Sequence, residues 1–263
     1  MGSATTQALA ASIETLAAAK GVTLDTAREL FAAARAVSES SQLSGALADP
    51  SAPADARQNV VAAVFGGFSA DAQSVLKTVV SERWSNAGEL LDGIEELAIR
   101  AAAIAEPGAD IEAELFSFSR VIAANAELEL ALGSRLGGAD AKVALVERLL
   151  ADGGSSAPVT LIVSSLVRQP RGRRVRQLLN RATRIVSSQH GRVVATVHSA
   201  SELNDAQRTR LSDALSQRYD GKVTLNVVID PAVLGGLRVQ IADDVIDGSI
   251  SARLADLRQK LAG

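Results

Sequence analysis

The sequence predicts a mostly α chain with a small α+β C-terminal domain: two tandem helical bundles, then a three- to four-stranded sheet with two helices. Three observations predict it. Apolar residues make up 47% of the 263-residue chain and aromatic ones only 3%, an aliphatic, alanine-rich composition that fits helix packing better than an aromatic-lined pocket. A helical pattern that begins at Glu29 returns at Glu114, an offset of 85 residues. From about Gly191 the apolar period changes from that of a helix to that of a strand.

The chain opens on a helix with Leu9, Ile13 and Leu16 at i, i+4 and i+7. Next comes "ELFAAARAVSESSQLSGAL", which "ELFSFSRVIAANAELELAL" repeats, so that Leu30, Phe31, Arg35, Leu43 and Leu47 meet Leu115, Phe116, Arg120, Leu128 and Leu132. The run Ala54-Asp55-Ala56-Arg57 meets Ala139-Asp140-Ala141-Lys142, and Val60, Val61 and Val64 meet Leu145, Val146 and Leu149. Apolar and charged positions that keep step over several helix lengths indicate an internal duplication. Leu90, Leu91, Ile94, Leu97, Ala98 and Ala101 form one helical stripe, and Val175, Leu178, Leu179, Ala182, Ile185 and Val186 another. Pro- and Gly-bearing breaks, "ADPSAPADA", "FGGFSADA", "GSRLGGADA" and "ADGGSSAP", separate the helices, and "AEPGAD" at 105–110 links the copies. The expected domains are 1–106, 107–189 and 190–263.

In the last domain "RVVATVHSA" and "KVTLNVVID" have the length and β-branching of strands. Between them "NDAQRTRLSDALSQRY" reads as a helix, with Asn204 at the N-cap and Gln207 at N3. Asp230-Pro231 makes a turn, "LRVQI" and "DVIDG" form a hairpin, and Ile250, Leu254, Leu257 and Leu261 line one side of a closing helix.

Several functions find no support. With no cysteine, disulfides, cysteine nucleophiles and Cys-based zinc sites are excluded. A net charge of -3 gives no general pull toward nucleic acid. No basic leader precedes an apolar core, and no apolar run approaches the roughly 18 residues of a membrane span, so a cytosolic protein is expected. "LGGLRVQ" precedes a strand and lacks the order of a phosphate loop, which opens a helix; Gly235 and Gly236 are read as structural. His190 and His198, the only histidines, lack zinc-binding companions, and Asp243-Asp244 and Glu95-Glu96 look like solvated carboxylates. No catalytic, cofactor-binding or metal-binding residue is expected, and no cofactor.

One basic stretch stands out. Arg168, Arg171, Arg173, Arg174, Arg176, Arg181 and Arg184 follow one another within "RQPRGRRVRQLLNRATR", and nucleic-acid binding through this face is the alternative function. Interleaved aromatics are absent, and the apolar stripe assigns the arginines to a wet face. The counterpart helix of the first copy is acidic, with Glu89, Asp92, Glu95 and Glu96. Opposite charge on equivalent helices means that the copies face different partners or face each other.

At "DPAVLGGLRVQIADDVIDGSISARLADLRQKL" the sequence resembles the delta subunits of F-type ATP synthases, bacterial relatives of the mitochondrial oligomycin-sensitivity-conferring protein. Asp230, Gly235, Gly236, Asp247, Gly248 and Ser249 carry the match. In members with one helical domain the second bundle would be an addition, of the kind known in actinobacterial delta subunits. The resemblance implies a non-catalytic stator subunit, peripheral at the cytoplasmic face of the cell membrane and reaching the membrane only through its complex. It implies two partners, the N-terminal helix of the alpha subunit at the N-terminal domain and subunit b at the C-terminal one, and no nucleic acid. By position Leu9, Ile13 and Leu16 match the helix that lines the family's docking groove. Ser249 is read as the N-cap of the closing helix.

Overall fold

The computed structural model describes residues 2–133, 137–219, 221–231, 233, 235–241 and 244–248. They divide into two compact units, Met1–Val186 and Ser187–Gly263. The expected closing helix and Ser249 lie outside the described residues.

Eleven helices come first in chain order: α1 (Ser3–Ala18), α2 (Leu24–Glu39), α3 (Ser41–Ala48), α4 (Ala54–Val64), α5 (Ala70–Ser81), α6 (Ala87–Ala105), α7 (Ile111–Ala124), α8 (Ala126–Gly133), α9 (Ala139–Asp152), α10 (Ala157–Arg168) and α11 (Val175–Gln189). Their starts follow local chemistry. Thr23 and Thr26 cap α2 reciprocally, Ser40 accepts the N–H of Leu43 at the start of α3, and Asn86 accepts that of Glu89 at the start of α6. Each satisfies a backbone donor that a helix start leaves unpaired.

The duplication is visible in the packing. Glu29 of α2 accepts the N–H and hydroxyl of Ser69, the N-cap of α5, at 3.0 and 2.5 Å. Glu114 of α7 does the same for Ser156, the N-cap of α10, at 2.7 and 2.9 Å. In both copies a carboxylate from the repeat's leading helix sits at the positive end of a later helix. Thus α2–α6 correspond to α7–α11.

The 85-residue offset also lays α1 over α6, so that Leu9, Ile13 and Leu16 meet Ile94, Ala98 and Ala101. Helix α6 therefore closes the first bundle and opens the second. As the last helix of the first it packs on α1, α2 and α5, and as the first helix of the second it packs on α10. Such a helix has little free surface, and α6 is buried without interruption from Gly93 to Ala103. One apolar core runs through both bundles, from Ala8 to Val186.

Close approach at α6 depends on Gly93. Trp84, the only tryptophan, donates from Nε1 to the carbonyl of Val79 at 2.7 Å and lays its ring against this glycine. A methyl group on Gly93 would fall 2.2 Å from the Trp84 ring, well inside van der Waals contact.

The second unit contains β1 (Arg192–Ser199), α12 (Asp205–Tyr219), β2 (Lys222–Ile229), β3 (Leu237–Ile241) and β4 (Asp244–Asp247). The strand order is β2-β1-β3-β4. Strands β1 and β2 are parallel, with Arg192 opposite Lys222, and the other pairs are antiparallel. A parallel pair needs a crossover, which α12 supplies. Asn204 and Gln207 form the expected reciprocal cap, at 2.9 and 3.0 Å. Ser212 and Ser216 of α12 bond the carbonyl and N–H of Val223 at 2.8 and 3.0 Å, fixing the helix to the start of β2. The core is aliphatic: Ala195, Val197, Leu203, Leu215, Val223, Val239 and Ile241. At the end of α12 the Tyr219 hydroxyl donates to Asp244, 2.8 Å away, which holds its pKa above the usual tyrosine value.

The Trp84–Gly93 contact yields a direct test. Gly93→Ala should displace the indole, shift tryptophan emission to longer wavelength and destabilise the helical unit by about 1 to 3 kcal/mol. Fluorescence-monitored urea unfolding reads both effects from the same chromophore.

Candidate functional site

Helix α1 turns Thr5, Ala8, Ser12 and Leu16 into the bundle. Of the three residues expected to line a groove, Leu16 is sealed in the core, 1% exposed. Leu9 and Ile13 are half-buried and pack against the edge of that core. Helix α1 lies on α5, where the Thr15 and Thr78 hydroxyls meet at 3.2 Å. Its first turn is held by Thr5, which accepts the N–H of Ser85 at 3.2 Å and donates to Glu89. The result is a firmly seated helix with two apolar side chains left at its edge.

The acidic and basic stretches face each other. Glu95 accepts both terminal nitrogens of Arg173, at 2.8 and 2.7 Å, together with Arg181 at 2.6 Å and Arg171 at 3.1 Å. Each carboxylate oxygen is thereby shared by two guanidinium groups, Oε1 by Arg173 and Arg181 and Oε2 by Arg173 and Arg171. Arg171 also pairs with Asp92, and Arg181 donates to the Asp92 carbonyl at 3.1 Å. Arg100 binds Glu96 at 2.8 Å from within α6.

This corrects the reading of Glu95-Glu96 as solvated carboxylates and of the arginines as a wet face. Glu95 and Glu96 are 6% and 7% exposed, because α6 packs against helices of both bundles and is buried throughout Gly93–Ala103. Arg171, Arg173 and Arg181 are partly buried over them. Arg171 takes a left-handed backbone, φ 50°, just before Gly172 at φ 76°. That conformation costs a non-glycine residue about 1 to 2 kcal/mol, and here the ion pairs to α6 hold it. The sequence showed the opposite charges and left open whether they meet; the structure adds both their pairing and their burial.

Two further arginines of the stretch are paired, Arg168 with Asp140 at 2.7 Å and Arg176 with Glu129 at 3.0 Å. Arg174 and Arg184 alone in the stretch have no carboxylate partner among the described residues. Most of the positive charge expected to serve a nucleic acid is thus engaged by the protein itself.

The C-terminal motif residues that the structure describes shape the backbone of the second unit. Gly235 and Gly236 have φ of 65° and 82°, two consecutive left-handed positions leading into β3, where only glycine is unstrained. The Asp230 N–H donates to the Ser199 carbonyl at 2.8 Å, tying the end of β2 to that of β1. Its carboxylate lies 3.8 Å from Nδ1 of His198. Asp247 pairs in register with Arg238, and the Gly248 N–H donates to the Leu237 carbonyl at 2.8 Å. A Cβ on Gly248 would crowd that carbonyl at 3.2 Å. Among the described residues no group of three or more His, Cys, Asp or Glu could hold a metal ion, and no helix is long and apolar enough to cross a membrane.

Interlocked bundles joined both by apolar contact and by charge make a protein of the structural class. The family model described as "ATP synthase delta (OSCP) subunit" matches the chain twice, over 7–107 and 96–261. The two matches overlap in α6, the helix common to both bundles. ATP synthase subunit delta of Leifsonia xyli is 49% identical over the full length of both chains, and that of Streptomyces griseus 36% identical, again over both full lengths. The Nocardia farcinica subunit is 38% identical over 94% of this chain and 93% of its own. A chain of the Toxoplasma gondii mitochondrial ATP synthase hexamer aligns over 64% of this chain and 97% of its own at 18% identity, with a TM-score of 0.39, too low for the folds to be equated. The chain belongs to the ATP synthase delta (OSCP) family, and is a structural rather than a catalytic subunit.

Removal of the carboxylate at the centre of the charge cluster should be costly. Glu95→Ala leaves Arg171, Arg173 and Arg181 without their shared partner, and is expected to destabilise the helical unit by about 3 kcal/mol. The shift in urea midpoint, followed by circular dichroism, measures it.

Proposed function

We propose that this chain is the peripheral-stalk joint of a proton-translocating F-type ATP synthase, holding the catalytic head still while the rotor turns. The first bundle, 1–106, receives the N-terminal helix of the alpha subunit along α1, and the C-terminal domain, 190–263, meets the end of subunit b. The bundle at 107–189 is the addition. The chain stands at the cytoplasmic face of the cell membrane as a peripheral component and reaches the membrane only through the complex.

One observation carries the head-side contact: Leu9 and Ile13 lie half-buried on α1 beside α5, while Leu16, on the same stripe, is fully sealed. A seated helix with an apolar edge is the wall against which an amphipathic partner helix can lay its own apolar face. Resistance to torque requires no chemistry at the joint, only slow dissociation, and a nanomolar complex of about -12 kcal/mol provides it.

The contact is testable with a peptide. Ile13→Asp should weaken binding of an alpha-subunit N-terminal peptide by more than about 2 kcal/mol, since a charge would replace an apolar anchor. Calorimetry measures the affinity, and an unchanged far-ultraviolet circular dichroism spectrum shows that the fold survives. Undiminished affinity in the folded variant would remove Ile13 from the interface.

A further inference from the structure

The repeat provides an internal comparison for the α1–α5 face. At the 85-residue offset Leu9 and Ile13 correspond to Ile94 and Ala98 of α6. The matched N-cap serines, Ser69 and Ser156, bring Lys77 of α5 onto Ser164 of α10. The core residues agree with this register: Val75, Leu76, Val79 and Val80 of α5 are buried, and so are Ile162, Val163, Leu166 and Val167 of α10.

The remaining positions differ in environment. Leu9, Ile13 and Lys77 are half-buried in the first bundle, whereas Ile94 and Ala98 are 0% exposed and Ser164 is 8% exposed in the second. Two of the three side chains are also smaller: alanine replaces isoleucine and serine replaces lysine. Small side chains allow helix axes to approach closely, and a helix does approach. Helix α2 of the first bundle packs against both α6 and α10, and its own buried side includes Ala27, Ala33 and Ala34.

We propose that the chain accepts one partner helix and not two, because the second bundle's counterpart of the α1–α5 face is filled by the chain's own α2. The added bundle extends the subunit without adding a second docking site for the same helix. This rests on the reading of Leu9 and Ile13 as the docking edge.

Native mass spectrometry of the full-length chain with excess alpha-subunit N-terminal peptide counts the sites. One peptide per chain is expected, lost in Ile13→Asp. Two peptides per chain would overturn the proposal and leave the docking reading standing. No bound peptide would overturn the docking reading, and the proposal with it; one peptide that survives Ile13→Asp would place the acceptor elsewhere and overturn both.

Thermal unfolding tests the filled face independently. Ser164→Lys copies the residue of the open face into the covered one and should lower Tm by about 5 °C or more, or prevent folding. The mirror variant Lys77→Ser should stay within about 2 °C of the parent. A Ser164→Lys protein with the parental Tm would show that this face is open, and would overturn the proposal.

Discussion

Helix α6 has to complete two bundles at once, and much of the helical unit follows from that constraint. A helix enclosed by neighbours cannot keep an ordinary polar side, yet α6 carries Asp92, Glu95, Glu96 and Arg100 in its middle turns. Left alone, carboxylates buried to this degree would oppose folding by several kcal/mol each. The second bundle supplies the compensation from the turn before α11 and from α11 itself, through Arg171, Arg173 and Arg181. The two bundles are thereby joined by charge as well as by apolar contact.

Charge gives this joint a property that the apolar core alone does not. Leu178, Leu179, Ala182 and Val186 of α11 are buried by an effect that is roughly proportional to area and has no preferred direction. Guanidinium groups that meet both oxygens of Glu95 do so in one register only. For a subunit whose proposed task is to carry a steady load, fixing the register between its two bundles matters at least as much as the free energy of the contact. The left-handed Arg171 fits the same account, since its backbone strain is tolerated where ion pairs hold the side chain in place.

Duplication did not produce two equivalent units. Both copies keep the carboxylate that caps a later helix, Glu29 in one and Glu114 in the other, and both keep the aliphatic core of α5 and α10. They differ on the matched faces α1–α5 and α6–α10. There the first bundle ends in an edge with Leu9 and Ile13 half-buried, and the second is closed by Ala98 and Ser164. A shared helix makes the difference unavoidable, because α6 cannot be the outer wall of one bundle and the inner wall of another with the same exposed side.

The sequence by itself determined the local and periodic features: the helical repeat, the change of period near Gly191, the Asn204–Gln207 cap, and the glycines that precede β3. Each depends on residues near one another along the chain, so spacing and residue type suffice. It also showed that the helix of Glu95 and the stretch of Arg171 to Arg181 carry opposite charge. What it left open was whether these face water, separate partners or each other, since amphipathic stripes describe a helix with one wet side and α6 has none from Gly93 to Ala103. Burial of Glu95 between three arginines and the packing of α6 on α10 join residues about 70 to 90 positions apart. Only the tertiary structure decides such features, because they depend on which surfaces remain free after every helix has packed.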